Sequence, residues 1–172
     1  MRIRVPAAVT GLLTTPLMFA ADLEVSVEIP RINVAEYHRP YVAMWIEKPD
    51  QSFAANLAVW YDLQTAKAEK GTTWLKDLRM WWRKSGRELT MPVDGVSGAT
   101  RPPGVHPVVF RGSKAPLASL APGSYHFVVE ASREVGGREV VRIPFQWPAK
   151  SAQPVKVQGQ SELGQVQVVV KP

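Results

Sequence analysis

Leu23, Val25, Val27 and Ile29 alternate with Glu24, Ser26 and Glu28. A period of two with one apolar and one polar face predicts a half-buried strand over 23–29. Residues 41–48, "YVAMWIEK", are apolar at nearly every position, as in a central strand covered on both faces, and Pro49-Asp50 ends the run. The segment 56–62, "NLAVWYD", reads as its hairpin partner. The period then changes. Trp74, Leu75, Leu78, Trp81 and Trp82 fall at helical spacing, with Lys76, Asp77, Arg79 and Arg83 between them. This predicts one short amphipathic helix over 72–86, started by Thr72 or Thr73 as N-cap and ended at Gly86.

A long irregular stretch, 86–107, follows. Strands resume at 107–112, 123–134, 138–147 and 163–170. "EVGGR" (134–138) reads as a tight hairpin turn with Gly136 and Gly137 at positive φ. Residues 148–154 read as a linker between two strands rather than a domain boundary. Seven or so short strands with regular turns predict an all-β fold, an immunoglobulin-like β-sandwich with one short amphipathic helix.

The amino terminus adds a compartment. Arg2 and Arg4 precede an apolar stretch that runs to Ala21, and Asp22 opens the polar part. A basic start, a short apolar run and small residues at its end predict a secretory signal peptide over 1–21. Residues 22–172 then form a single sandwich domain in the periplasm. The sequence contains no cysteine, which excludes disulfides, thiolate metal sites and thiol catalysis. The formal net charge is +6, from 21 basic and 15 acidic residues. The basic residues are scattered, so no nucleic-acid partner is expected.

Candidate chemistry concentrates in the irregular stretch. "GVSGA" (95–99) nearly matches the nucleophile elbow of α/β-hydrolases, with Ser97 in the nucleophile's place. No Asp occurs after Asp94, and neither Asp nor Glu lies between Ser97 and His126, so the acid-then-histidine order is unavailable. His38, His106 and His126 are not at metal-ligand spacing, and each reads as a surface or hydrogen-bonded histidine. Most of the six tryptophans read as core. Trp81 and Trp82 are adjacent and cannot point the same way on a helix, so one of them is expected to face a cleft or the following loop.

"DGVSGAT" (94–100) resembles the attachment signature of covalently flavinylated bacterial proteins: Asp, two variable residues, then Ser/Thr-Gly-Ala-Thr. Asp94, Ser97, Gly98, Ala99 and Thr100 match every fixed position. The resemblance implies FMN held through a phosphoester on Thr100. A dedicated flavin transferase, dependent on FAD and magnesium, would make the bond outside the cytoplasm. Asp94, Ser97, Gly98 and Ala99 would form the recognition loop, Trp81 or Trp82 would pack on the isoalloxazine, and Arg101 would offset the phosphate charge.

A second resemblance spans most of the chain after residue 21. The order "YVAMWIEKPD", "LAVWYD", "WLKDLRMWW", "VDGVSGATRPPG", "LAPGSYHFVVEASREVGG" is similar to the predicted periplasmic family known as domain of unknown function 2271. It implies an immunoglobulin-like fold and a role as an electron carrier, rather than an enzyme with a substrate of its own. The implied partners are the flavin transferase and a PepSY-type membrane reductase or other redox protein. The alternative reading is a cofactor-free periplasmic binding or accessory module.

Overall fold

The strands expected from alternation are present in a computed structural model, which describes residues 21–63 and 68–172. The signal segment therefore lies outside the described residues, except for Ala21, which packs in the core at 4% exposure. In chain order the strands are β1 (Asp22–Ile29), β2 (Tyr41–Glu47), β3 (Phe53–Tyr61), β4 (Ser97–Ala99), β5 (Gly104–Phe110), β6 (Gly123–Ser132), β7 (Arg138–Trp147), β8 (Val155–Gln158) and β9 (Gln165–Lys171). They form two sheets, ordered β5-β1-β9-β8 and β4-β3-β2-β6-β7. The protein is an all-β sandwich in which the last strand, β9, pairs with the first.

The apolar residues of β1 (Leu23, Val25, Val27, Ile29) meet Val42, Met44, Ile46, Phe127, Val129 and Ile143 of the facing sheet. β2 is covered on both sides, as its nearly continuous apolar run predicts. Its alternate residues Ala43 and Trp45 join a second cluster with Val59, Tyr61, Val128, Leu75, Leu78 and Trp81. That cluster lies under a helical layer, so the molecule has three layers, with the five-stranded sheet in the middle.

The helical layer departs from the single helix expected. It consists of α1 (Ala68–Thr73), a 3-10 turn (Trp74–Asp77), α2 (Arg79–Lys84) and a second 3-10 turn (Gly86–Glu88). Thr73 provides no side-chain cap to the turn that follows it. Buried glutamates on the sheet hold the pieces instead. The Glu130 carboxylate accepts the backbone N–H groups of Met80 (3.0 Å) and Trp81 (2.8 Å) at the start of α2. Glu47 accepts Trp45 Nε1 (2.9 Å) and pairs with Lys84 at the other end of α2 (3.1 Å) and with Arg142 (3.2 Å). Burial pushes the Glu47 carboxyl up, but these donors outweigh it and hold the group below the usual carboxylate range. Gly86 lies inside the second 3-10 turn, where a Cβ would come within 2.5 Å of the Trp81 ring.

The β6–β7 turn also departs from expectation. The residue at positive φ is Val135 (φ 52°), and neither Gly136 nor Gly137 adopts that conformation. The two glycines are required by close approach. A Cβ at 136 would meet the Arg133 guanidinium at 2.5 Å, and one at 137 would meet Glu162 at 2.8 Å. Arg133 and Glu162 form a buried two-bond pair at 2.9 and 3.1 Å.

Candidate functional site

The stretch that carries the motif is more ordered than its composition predicts. The Val93 carbonyl accepts from Val96 N (3.2 Å) and Ser97 N (2.9 Å), with Gly95 at φ 70°. Ser97 Oγ in turn accepts from Val93 N at 2.9 Å. The Ser97 hydroxyl therefore closes a turn, and asparagine-like local bonding rather than nucleophilic chemistry explains a serine here. Asp94, at the tip, is exposed.

Residues 97–99 then leave the turn as β4, the one parallel neighbour of β3, with Ser97 opposite Val59 and Ala99 opposite Tyr61. Val59 N donates to the Val96 carbonyl (2.8 Å) and Thr100 N to the Tyr61 carbonyl (3.1 Å). Gly98 allows this approach, because a Cβ there would lie 3.1 Å from Trp60 Cδ1. β4 is the edge of one sheet and β5 the edge of the other. Thr100–Pro103 is thus the link that crosses between sheets, and Gly104 (φ 140°) turns it into β5.

Trp60, not Trp81 or Trp82, is the aromatic beside this link. The Arg101 guanidinium lies 5.3 Å from the Trp60 ring centroid, a cation–π contact. The His106 ring meets the same indole edge-on at 5.9 Å, and His106 Nε2 donates to the Pro102 carbonyl at 2.7 Å. Thr100 is half-buried, and its hydroxyl makes no hydrogen bond with a described residue, while Ala99 and Arg101 are exposed.

The expected ring-packing tryptophans stand elsewhere. Trp81 is fully buried beneath α2 and donates from Nε1 to Asn56 Oδ1 at 2.8 Å, so it has no face to offer a cofactor. Trp82 is half-buried and lines a 310 Å³ cavity with Leu75, Leu89 and Met91. Trp60 and His106 escaped the sequence reading because each sits in an ordinary strand pattern, and only the stacking of two sheet edges brings them together. Asp94, Ser97, Gly98, Ala99, Thr100 and Arg101 form one continuous feature, as their spacing requires.

Two further cavities lie elsewhere. One of 810 Å³ runs along the β7 and β8 edges, lined by Tyr125, Phe145, Pro148, Val155 and Val168. His126 also lines it, with Nδ1 buried and without a partner among the described residues. The other, of 540 Å³, lies at the β6–β7 turn beneath the helical layer. Among the described residues no group of three or more His, Asp or Glu side chains could hold a metal ion, and no helix is long and apolar enough to cross a membrane.

No curated protein and no solved structure matches the chain. A family model described as a predicted periplasmic protein matches residues 22–165, from the first residue of β1 to the start of β9. By that match, which covers nearly all of the sandwich, the chain belongs to the DUF2271 family of predicted periplasmic proteins.

Proposed function

We propose that this protein is a periplasmic electron carrier with FMN attached covalently to Thr100. The observation that carries the reading is a complete Asp-x-x-Ser-Gly-Ala-Thr motif, 94–100, that ends on the inter-sheet link with a threonine hydroxyl that bonds no described residue. An N-terminal signal segment, cut after Ala21, would deliver the chain to the periplasm.

The residues fit an attachment of this kind. A threonine hydroxyl is a weak nucleophile and needs a base and a metal, both of which a flavin transferase would supply with its magnesium. Thr100 Oγ1 would bond to the FMN phosphorus of FAD, AMP would leave, and the hydroxyl proton would pass to the transferase's base. The acceptor loop needs only to be thin and to detach. β4 has three residues at a sheet edge and can peel from β3 at the cost of a few ladder bonds. The exposed Asp94, the positive-φ Gly95 and the small Gly98 and Ala99 leave the loop open to an enzyme's cleft. The Arg101 guanidinium, next in sequence to the acceptor, offsets the charge of a phosphodiester. Bound FMN supplies one- and two-electron chemistry, and the partners would be a PepSY-type membrane reductase and a soluble acceptor.

Intact mass of the protein co-produced in a periplasm with an active flavin transferase tests the reading. Wild type and Thr100→Ser should gain one FMN less water, retained after denaturation, and Thr100→Ala should not. An unmodified wild-type mass beside a modified control substrate overturns it. A cofactor-free binding module would then be the better reading, and the 540 Å³ cavity is the observation that favours it.

A further inference from the structure

The 540 Å³ cavity is remote in sequence from the motif and does not depend on a flavin. Three parts of the fold meet there: the start of β2 with Arg39 and Tyr41, the β6–β7 turn, and the junction of the Trp74–Asp77 turn with α2. Its lining carries four guanidiniums, Arg39, Arg79, Arg133 and Arg138, against two carboxylates, Asp77 and Glu134. Arg138 bonds Glu130 (2.9 Å) and Arg133 bonds Glu162, while Glu134 lies 3.5 Å from His38. Arg39 and Arg79 form no ion pair with a described residue. Arg133 is almost wholly buried, and its Nη1 has no acceptor among the described residues.

Two further features mark the cavity. Trp74 lines it with 49% of its surface exposed, the most exposed of the large aromatics among the described residues, although the same helical layer buries Trp81 completely. Lys76 Nζ lies 5.9 Å from the Trp74 ring centroid, and the rest of this exposed indole is a stacking surface for a planar group. Val135, at the rim, is a β-branched residue at positive φ and 80% exposed. Strained residues of this kind concentrate at ligand clamps and active sites.

We propose that this cavity binds a small planar aromatic ring that bears a phosphate. Guanidinium forks recognise phosphate oxygens with two parallel bonds, and Arg39 and Arg79 are the lining guanidiniums with no ion pair to a described residue. Arg39 and Arg79 hold the phosphate, and Trp74 with Tyr41 holds the ring. A volume of 540 Å³ lies within the range of small-molecule sites.

Calorimetric titration of the purified protein with AMP, adenosine and inorganic phosphate separates ring from charge. AMP should bind saturably and at least about tenfold more tightly than adenosine or phosphate, since a stacked base and a charge-assisted bond each contribute about that factor. Trp74→Ala and Arg79→Ala should each weaken AMP by about tenfold at unchanged melting temperature. Arg87→Ala, an exposed arginine paired with Glu88 outside the lining, should bind as wild type. No saturable binding of AMP, equal binding of phosphate alone, or AMP affinity unchanged in both cavity variants would overturn the proposal. None of these outcomes depends on the state of Thr100.

Discussion

Val135 and Gly86 illustrate how single residues here answer to contacts made far along the chain. Gly86 follows α2 and looks like a helix terminator, but its lack of a Cβ serves the Trp81 indole, which occupies the space where that carbon would sit. Val135 takes the positive-φ place in its turn, since Gly136 and Gly137 are committed to passing Arg133 and Glu162. A β-branched residue in that region costs about 1–2 kcal/mol. Val135 is mostly exposed, so little packing offsets the strain. Val135→Gly should therefore raise the unfolding free energy by about 1 kcal/mol, part of the relief being lost to the freer unfolded chain. Urea denaturation of the two proteins checks this, and a destabilised glycine variant would show that the turn is unstrained.

At the scale of elements, carboxylates on the strands organise the irregular segments packed against them. Glu130 and Glu47 anchor the ends of α2. Glu139 on β7 does the same for the 160–163 loop, accepting the N–H groups of Gln160 (2.6 Å), Ser161, Glu162 and Leu163 (2.9 Å each). Burial raises the Glu139 carboxyl, but the four backbone donors outweigh it and leave it below the usual range. Glu47 and Glu139 are thus both depressed in the folded state. A depressed carboxylate contributes stability that is present above its unfolded value, about 4.3 for Glu, and is lost as pH falls through the lower folded value. Urea midpoints should fall steadily from about pH 4.3 downward. Glu139→Gln should be less stable at pH 7 and should lose less on acidification. Parallel midpoint curves for wild type and variant would remove Glu139 from the acid response.

On the scale of the whole molecule, the layers differ in how they are held. The inner core packs two sheets face to face, each built on long antiparallel ladders, including ten register pairs between β6 and β7. The helical layer consists of pieces of three to six residues, which are too short to be stable alone and depend on one apolar face and two buried glutamates. Segments with few internal bonds open first. Backbone amides of 74–88 should exchange with deuterium at least about tenfold faster than those of β2 and β6, as measured by mass spectrometry of the native protein. Equal protection would mean that the cover and sandwich open as one unit. The cover also forms one wall of the 540 Å³ cavity, so a bound ligand should slow exchange at Trp74–Arg79 before it affects the sheets.

Features that repeat locally along the chain could be read from residue order alone. Alternation in 23–29 defines a strand with one wet face, the nearly continuous apolar run of 41–48 defines a strand covered twice, and the helical spacing of Leu75, Leu78 and Trp81 places all three on the buried side of the cover. The motif residues 94–100 were also legible, because their identities and spacing carry the resemblance. Tertiary structure alone decided the rest. β4 has three residues and no alternation to read, and exists because β3 offers an open edge. Trp60, Arg101 and His106 meet because two sheet edges stack. The breaks in the helical layer follow from the positions of Glu130 and Glu47 on strands 30 or more residues away. Arg39 and Arg138 share a cavity through the pairing of β2 with β6 and of β6 with β7, and Arg79 joins them because Glu130 on β6 holds the start of α2. Period and propensity are properties of neighbouring residues, whereas a close approach, a buried ion pair or a cavity is a property of residues that only the completed fold brings together.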